Sequence, residues 1–204
     1  MEIIMSREIV LGDIAEIRLG KAFKTAIKDE ENEGGFYLIQ PKNISLDGKL
    51  KVNDLARVKL DRIQNTQILM SGDIIIRLRG PIFLVTIFDG KWDLPVITTN
   101  QNAVIRCNQK VISPYYLQWY LNSNLGRSYF DSVAEGTNIN KITIKDILAM
   151  KLNLPGLLQQ NKIGDIQDNW LSQKDTYKKL IENGDLYFNE LCIKIQMVND
   201  NENN

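Results

Sequence analysis

Histidine is absent from the 204 residues of this sequence. Because histidine is the commonest general base and the commonest metal ligand, its absence argues against Ser-His-Asp and Cys-His nucleophile systems and against many metal enzymes. No pair of carboxylates has a local setting that singles it out for acid–base chemistry. We therefore expect no catalytic residue, no metal site and no cofactor in this chain.

Cysteines and long apolar runs are also scarce. Cys107 and Cys192 are the two cysteines, and they lie far apart without metal-binding spacing, so we expect two buried, reduced thiols. No apolar stretch approaches the ~18 residues of a membrane span, and the N-terminus lacks the pattern of a signal peptide. These absences predict a cytoplasmic protein with no membrane partner.

Neither sign of charge is in excess, because 25 lysines and arginines balance 25 aspartates and glutamates. This balance does not decide whether the protein binds DNA, since DNA binding requires a local basic patch and not a net charge. The hydrophobic content of 44% is ordinary for a folded protein and predicts a sizeable core.

Short apolar strands and turn signals dominate the first 150 residues. Asp47-Gly48 and Asp89-Gly90 are hairpin-turn signals, and the middle of the chain predicts an antiparallel or mixed sheet. Ser113-Pro114 predicts the start of a helix that covers residues 115–133. Thr143 with Asp146 matches a capping box and predicts a helix of one to two turns.

The N-terminal region predicts a brief helix near residues 12–17, followed by a polar, basic segment. Lys21, Lys24 and Lys28 are three and four residues apart, so they would share one face if this segment were helical. The alternative is an ordinary solvated lysine stripe.

One long helical pattern with an apolar stripe occupies the last quarter of the chain, from Pro155 to about Val198. At about 1.5 Å per residue the helix would be on the order of 50 Å long, more than one domain of this size needs to close its core, so a partner must cover part of the stripe. Gly184 interrupts the stripe, and we place a helix–helix crossing near Tyr177 to Phe188. The predicted partner-facing residues are Ile163, Ile166, Trp170, Tyr177, Ile181, Gly184, Phe188 and Leu191.

The sequence therefore predicts an α+β fold. It consists of a mixed, β-rich globular domain at residues 1–154, a long spacer helix at 155–198, and a disordered tail at 199–204.

Three polar groups are candidates for nucleic-acid contacts. Arg77 and Arg79 flank Leu78 on a strand, so both should leave one face, where paired arginines suit guanine edges or phosphates. The alternatives are a solvated strand face or salt bridges to Asp61, Asp73 or Asp89. Residues 98–102 are five consecutive hydrogen-bonding side chains, and Asn and Gln can bind adenine in bidentate fashion. Residues 135–141 form a similar loop, and either loop can equally be a plain polar turn.

Asp13 and Asp73 are interpreted as turn residues.

Five short motifs follow one another across about residues 9–165. They are Leu11-Gly12-Asp13-Ile14, Ser71-Gly72-Asp73-Ile74-Ile75, Ser113-Pro114-Tyr115-Tyr116-Leu117, Gly136-Thr137-Asn138, and the segment from Leu154 to Ile163. In their order and spacing the chain resembles the specificity subunits of type I restriction-modification systems, specifically one target recognition domain with the long helix that follows it. Pro155, Gln160 and Ile163 are the strongest part of the resemblance.

The resemblance implies a non-catalytic subunit that reads a double-stranded DNA half-site and docks a methyltransferase subunit. S-adenosylmethionine then belongs to the methyltransferase, and a restriction subunit is a further potential partner. The residues implied for DNA binding, as a group, are Lys21, Lys24, Arg77, Arg79, Asn100, Gln101, Asn102, Thr137 and Asn138.

Family members commonly carry two recognition domains and two helices, whereas this chain resembles one of each. The resemblance thus implies a half-subunit that pairs through its long helix, as a homodimer or with a second specificity half-subunit, and reads an interrupted palindrome. The alternatives are a stand-alone or truncated DNA-binding module, the recognition domain of a fused restriction-methyltransferase, and an enzyme that works without histidine.

Overall fold

The computed structural model describes residues 7–135 and 140–201 and divides the chain into two compact units, Met1–Gly164 and Asp165–Asn204. Thr137 and Asn138, which the sequence analysis assigned to the DNA-binding group, lie outside the described residues. So do residues 202–204 of the predicted tail.

The described residues form nine β-strands and four α-helices, which confirms the α+β prediction. The strands are β1 (Arg7–Val10), β2 (Ala15–Leu19), β3 (Phe36–Ile39), β4 (Ala56–Val58), β5 (Ile74–Arg77), β6 (Val85–Ile87), β7 (Val96–Thr98), β8 (Asn102–Cys107) and β9 (Lys151–Leu154). The helices are α1 (Pro114–Asn122), α2 (Asn124–Val133), α3 (Ile144–Leu148) and α4 (Leu157–Asn201).

The described strands are arranged in three sheets, all within the first unit. The four-stranded sheet has the order β2-β8-β5-β6 and is antiparallel. In the three-stranded sheet, β3 pairs with β4 antiparallel and with β7 parallel, so the prediction of mixed strand directions is confirmed. β1 and β9 form a separate antiparallel pair.

The four-stranded sheet is buried on both faces. Ile74 and Ile76 in β5 belong to the core that also contains Leu117 and Phe130 from the helices, whereas Ile75 belongs to a second core with Ile39. Alternate residues of a strand point to opposite faces, so a strand covered on both sides needs an unbroken apolar run. This requirement accounts for the sequence Ile74-Ile75-Ile76.

The helix predicted at residues 115–133 is two helices. Ser123 has an extended backbone (φ −72°, ψ 169°) between α1 and α2. Gly126 allows α2 to pack closely on the end of α1, because a Cβ atom there would lie 2.5 Å from the Tyr120 carbonyl oxygen. The apolar periodicity continues across the break, and for that reason the sequence predicted a single helix.

The brief helix predicted near residues 12–17 is also wrong. Leu11–Asp13 form a single 3-10 turn, and Ala15–Leu19 continue as β2, which pairs with β8. Ile14 is nevertheless buried. The pairing with β8 decides the conformation here, which local periodicity cannot show.

The two predicted hairpin turns have different outcomes. Gly48 has a φ of +76° in a tight turn that brings Ile44 opposite Leu50, so the first is confirmed. Gly90 also has a φ of +76°, but β6 before it pairs with β5 while β7 after it pairs with β3. The second is a turn that leads from one sheet to another.

The capping box at α3 is confirmed. The Thr143 main-chain N–H donates to Asp146 Oδ2 (2.7 Å), and the Asp146 N–H donates to Thr143 Oγ1 (3.3 Å). These two bonds satisfy main-chain donors that have no partner within the first helical turn.

Gln160 fixes the start of α4 against the N-terminus of α1. Its Oε1 accepts from the Ser113 N–H (2.7 Å), and its Nε2 donates to the Pro155 carbonyl (2.8 Å) and the Val111 carbonyl (3.1 Å). Ile163 packs on the core of the first unit. The assignment of Ile163 to a partner contact is therefore corrected, because this side chain is used inside its own domain.

The part of α4 in the second unit exposes large apolar side chains. The predicted stripe residues have these exposed fractions: Ile166 69%, Trp170 50%, Tyr177 54%, Ile181 64%, Phe188 64% and Leu191 39%. A Cβ atom at Gly184 would have no neighbour within 4 Å. The helix includes Asn199–Asn201, which the sequence analysis placed in the tail. Among the described residues, no helix combines the length and apolar content needed to span a membrane.

A buried carboxylate links three strands of the four-stranded sheet. Asp73, which precedes β5, accepts from Arg106 of β8 through two bonds, Nε to Oδ1 (2.8 Å) and Nη2 to Oδ2 (2.7 Å). Arg18 of β2 places Nη2 3.6 Å from Asp73 Oδ2. The hydrogen bond to Asp73 raises the pKa of Arg106, whereas burial lowers the pKa of Arg18. Asp73 Oδ2 also accepts from the Met70 N–H (2.9 Å), so its predicted turn role is confirmed.

We predict that Asp73→Asn lowers the free energy of unfolding substantially, because it leaves two arginines without their shared counter-charge. The expected loss is at the lower end of the about 3–5 kcal/mol typical of a broken buried pair, since the Arg106 side chain is 30% exposed. Urea denaturation of the full chain measures it. The exposed Asp131→Asn is the control, with a change of less than about 0.5 kcal/mol. Equal stability of the two variants would contradict the role of Asp73.

Candidate nucleic-acid interface

A cleft of about 700 Å³ lies beside the turn between β7 and β8, in the first unit. We call it the β7–β8 cleft. It combines apolar side chains with amide and cationic ones, and its lining residues are Leu19, Leu78, Arg79, Asn100, Gln101, Lys141, Ile142, Thr143, Ile144 and Lys145. Among the described residues that line it, three side chains are cationic and none is acidic. A concave site with charge of one sign attracts anions such as phosphates.

The turn at residues 98–102 has buried ends and an exposed tip. Asn102 donates from Nδ2 to Thr98 Oγ1 (2.8 Å), and the Thr98 hydroxyl donates to the Ile39 carbonyl (2.8 Å). Asn100 and Gln101 at the tip are exposed and line the cleft. Asn102 is 0% exposed, so its assignment as a DNA contact is corrected: it supports the turn from inside.

The chain around Gly20 supports the same turn from the other side. The Gly20 N–H donates to the Asn102 carbonyl (3.1 Å), the Lys21 N–H to the Thr98 carbonyl (2.7 Å), and the Asn100 N–H to the Lys21 carbonyl (2.9 Å). A Cβ atom at Gly20 would lie 2.3 Å from the Thr99 carbonyl oxygen. Only glycine permits this approach without a backbone shift.

Arg77 and Arg79 are not side by side. β5 ends at Arg77, so the alternation that predicted a shared face does not extend to Arg79. The Arg77 guanidinium donates from Nε to the Arg79 carbonyl and lies over Gly80, where a Cβ atom would be 2.8 Å from Nη2. Arg79 is exposed and lines the cleft. Within the described residues, neither arginine forms an ion pair with the aspartates considered in the sequence analysis.

Lys141 and Lys145 add charge that the sequence analysis did not assign to a site. Lys141 pairs through its main chain with Glu135 (3.0 and 2.9 Å), and the next residue, Ile142, donates to the Leu78 carbonyl (3.1 Å). This pairing brings both lysines beside Arg79. Lys141 closes a polar loop that the sequence did single out, whereas nothing in the local sequence connects Lys145 with Arg79.

Lys24 does not line the cleft, and the predicted lysine stripe does not form. The described structure has no helix between residues 21 and 30. Phe23 and Ile27 instead pack on the cluster formed by Leu38, Val58 and Ile97. Lys21 lies between the β7–β8 turn and a second cleft of about 680 Å³, which it lines together with Asp61, Arg62, Ile63, Gln64 and Gln67.

The two thiols differ from the expectation. Cys107 is buried, and burial raises the pKa of its thiol to about 12. Cys192 is exposed, so the prediction of two buried thiols is wrong for this residue. Across the described ranges, no three His, Cys, Asp or Glu side chains are grouped as a metal site would require.

Comparison with known proteins gives a family match over most of the chain. The family model described as the type I restriction modification DNA specificity domain matches residues 6–184. A curated relative, the type I restriction enzyme StySPI specificity subunit from Salmonella potsdam, is 24% identical over 155 residues. That alignment covers 71% of this chain and 31% of the relative.

Solved structures share the fold. One, titled as the structural basis of complex assembly and conformational transition of the type I R-M system, matches with a TM-score of 0.64 at 20% identity, over 86% of this chain and 40% of the other. The HsdS subunit from Thermoanaerobacter tengcongensis gives 0.58 at 20% identity, over 86% and 39%. The S subunit from M. genitalium gives 0.59 at 14% identity, over 89% and 43%. The chain thus spans well under half the length of these relatives.

We predict that Gly20→Ala destabilises the first unit by about 1–3 kcal/mol, because the new methyl group forces the β7–β8 turn away from β2. Urea denaturation of the full chain measures this loss. Gly35→Ala is the matched control, since a Cβ atom there has no neighbour within 4 Å. If both variants are as stable as the wild type, the close approach at Gly20 does not hold the turn.

Proposed function

Because the chain belongs to the type I restriction modification DNA specificity domain family, we propose that it recognises a double-stranded DNA half-site and docks a methyltransferase subunit. The observation that supports this proposal most is the β7–β8 cleft, where arginine, lysine and carboxamide side chains from distant parts of the sequence converge. In this proposal the chain acts in the cytoplasm and supplies recognition without catalysis. The methyltransferase binds S-adenosylmethionine and modifies the DNA, and a restriction subunit can join the assembly.

The cleft offers each kind of group that DNA recognition requires. Asn100 and Gln101 carry carboxamides that match the adenine edge, and Arg79 matches guanine or a phosphate. Lys141 and Lys145 are point charges suited to phosphates. Leu19, 48% exposed, offers an apolar contact for a thymine methyl group. The tip residues lie on a turn whose backbone is fixed by hydrogen bonds, so little backbone conformational entropy is lost when they bind.

We further propose that α4 pairs with a second copy of the chain, or with a second specificity half-subunit. The support is the row of exposed apolar side chains between Ile166 and Leu191, since contiguous exposed apolar surface of this kind marks an interaction site. Two identical surfaces related by a two-fold axis present two recognition domains to DNA in opposite orientations. Such a dimer reads an interrupted palindrome.

We predict that Lys141→Ala and Lys145→Ala each weaken binding to specific and random duplex DNA by the same factor. Each should also reduce the slope of log K against log salt concentration by about 0.9, the value for one phosphate contact. Fluorescence anisotropy of a labelled duplex over a salt series measures both quantities. Lys110→Ala removes the same charge from an exposed turn outside the cleft and should change neither. An equal effect of all three variants would assign the attraction to overall charge.

We predict that Gly184→Leu weakens dimerisation at least about tenfold, because the side chain separates the two helices where they cross closest. Leucine is a better helix former than glycine, so loss of helix cannot be the cause. Sedimentation equilibrium of the full chain gives the dissociation constant, and Glu182→Leu, on the opposite side of the helix from Gly184, is the control. Unchanged dimerisation would refute the crossing near Gly184, and a monomeric wild type would refute the homodimer.

A further inference from the structure

The segment at residues 61–69, which precedes β5, is anchored at both ends. Ile63 packs on the cluster of Leu38, Val58 and Ile97. Leu69 is buried in the second core, and its N–H donates to the Val96 carbonyl (2.9 Å). The segment therefore has fixed ends.

The middle of the segment is held by the two arginines that lie beside Asp73. Arg18 donates from Nε to the Thr66 carbonyl and from Nη2 to the Ile68 carbonyl (3.3 Å). Arg106 Nη2 also donates to the Ile68 carbonyl (3.3 Å). An exposed connection does not need such support, because water satisfies its carbonyl groups. Charged donors fix these carbonyls more strongly than neutral donors do.

Five polar side chains of the same segment have no polar partner among the described residues. Among the described residues, no hydrogen bond or ion pair involves the side chains of Arg62, Gln64, Asn65, Thr66 or Gln67. Asn65–Gln67 form one 3-10 turn. Gln64 is the extended residue that precedes this turn, and Gln67 is the last residue of the turn. Both line the second cleft, whereas Asn65 and Thr66 do not.

We propose that this segment is a second base-reading element, in which Gln64 and Gln67 contact base edges of duplex DNA while Lys21 and Arg62 contact phosphates. The inference rests on the proposed function and extends it from one cleft to two. Carboxamides bind the adenine edge in bidentate fashion, so adenine-containing sites are the expected ligands.

Two further observations favour base edges at the second cleft. Asp61 lies beside the two cations of the cleft, so this cleft is less positive than the β7–β8 cleft and less suited to a row of phosphates. Lys21 links the two sites, because its main chain pairs with the β7–β8 turn and its Nζ donates to the Arg62 carbonyl (3.4 Å). Lys21 therefore lies between the two clefts, and in this proposal both contact one duplex.

The test is a selection of bound sequences from a randomised double-stranded oligonucleotide library, with the purified full chain as the bait. Gln64→Ala and Gln67→Ala are each expected to relax a different position of the wild-type motif, with discrimination there reduced roughly 5- to 150-fold. Thermal stability and affinity for random duplex should stay close to the wild-type values, because Gln64 is exposed, Gln67 is half-buried, and neither side chain has a polar partner among the described residues. Asn65→Ala removes a carboxamide from the same turn outside the cleft and should leave the motif intact.

The outcomes separate this inference from the function on which it rests. A wild-type motif that both glutamine variants reproduce would overturn the second reading element and leave the proposed function standing. If Asn65→Ala relaxes the same motif positions, the second reading element is also overturned, since the effect then comes from the turn as a whole. A wild-type chain that enriches no sequence would overturn the proposed function and the inference together.

Discussion

The first unit of this protein depends on the ion pairs of the buried Asp73 carboxylate. It lies directly before β5, bonds to Arg106 of β8 and lies close to Arg18 of β2, so one anion links three neighbouring strands. A buried charge costs several kcal/mol unless it is paired and hydrogen-bonded, and each partner here is therefore committed to its position. The same arginines hold the carbonyls of the segment before β5. The same group of charged side chains thus contacts three strands of the sheet and the segment before β5.

At both proposed reading elements, the groups that fix the backbone are different from the side chains proposed to contact DNA. At the β7–β8 turn, main-chain bonds from Gly20 and Lys21 and the buried Asn102 side chain fix the backbone, while Asn100 and Gln101 are exposed. At the second cleft, arginines fix the backbone, while Gln64 and Gln67 are unengaged. Exposed side chains that stabilise nothing can be exchanged without cost to the fold. A protein built in this way can change the sequence that it reads and keep its architecture.

Local chemistry in the sequence was enough to predict the α+β class, the long helix, the α3 capping box and the Asp73 turn. The errors arose where contacts between distant parts of the chain decide the local conformation. Ser123 breaks a helix whose apolar period is continuous, pairing with β8 makes β2 a strand, and the chain turns away between Arg77 and Arg79. Of the predicted contact residues, Arg79, Asn100 and Gln101 do converge, but Lys145 was missed because only the fold brings it there. Asn102 was predicted to contact DNA because its carboxamide matches a base edge. It is buried, however, and supports the turn from inside.

The central claim is that this chain distinguishes one DNA sequence from others. The most direct measurement is the affinity of the purified full chain for its selected duplex against a scrambled duplex of the same composition, at one fixed physiological salt concentration. The account predicts a ratio of about 10³ or more, as for specific DNA-binding proteins. Tight binding with a ratio near one would contradict it, because the cleft would then attract phosphates without reading bases.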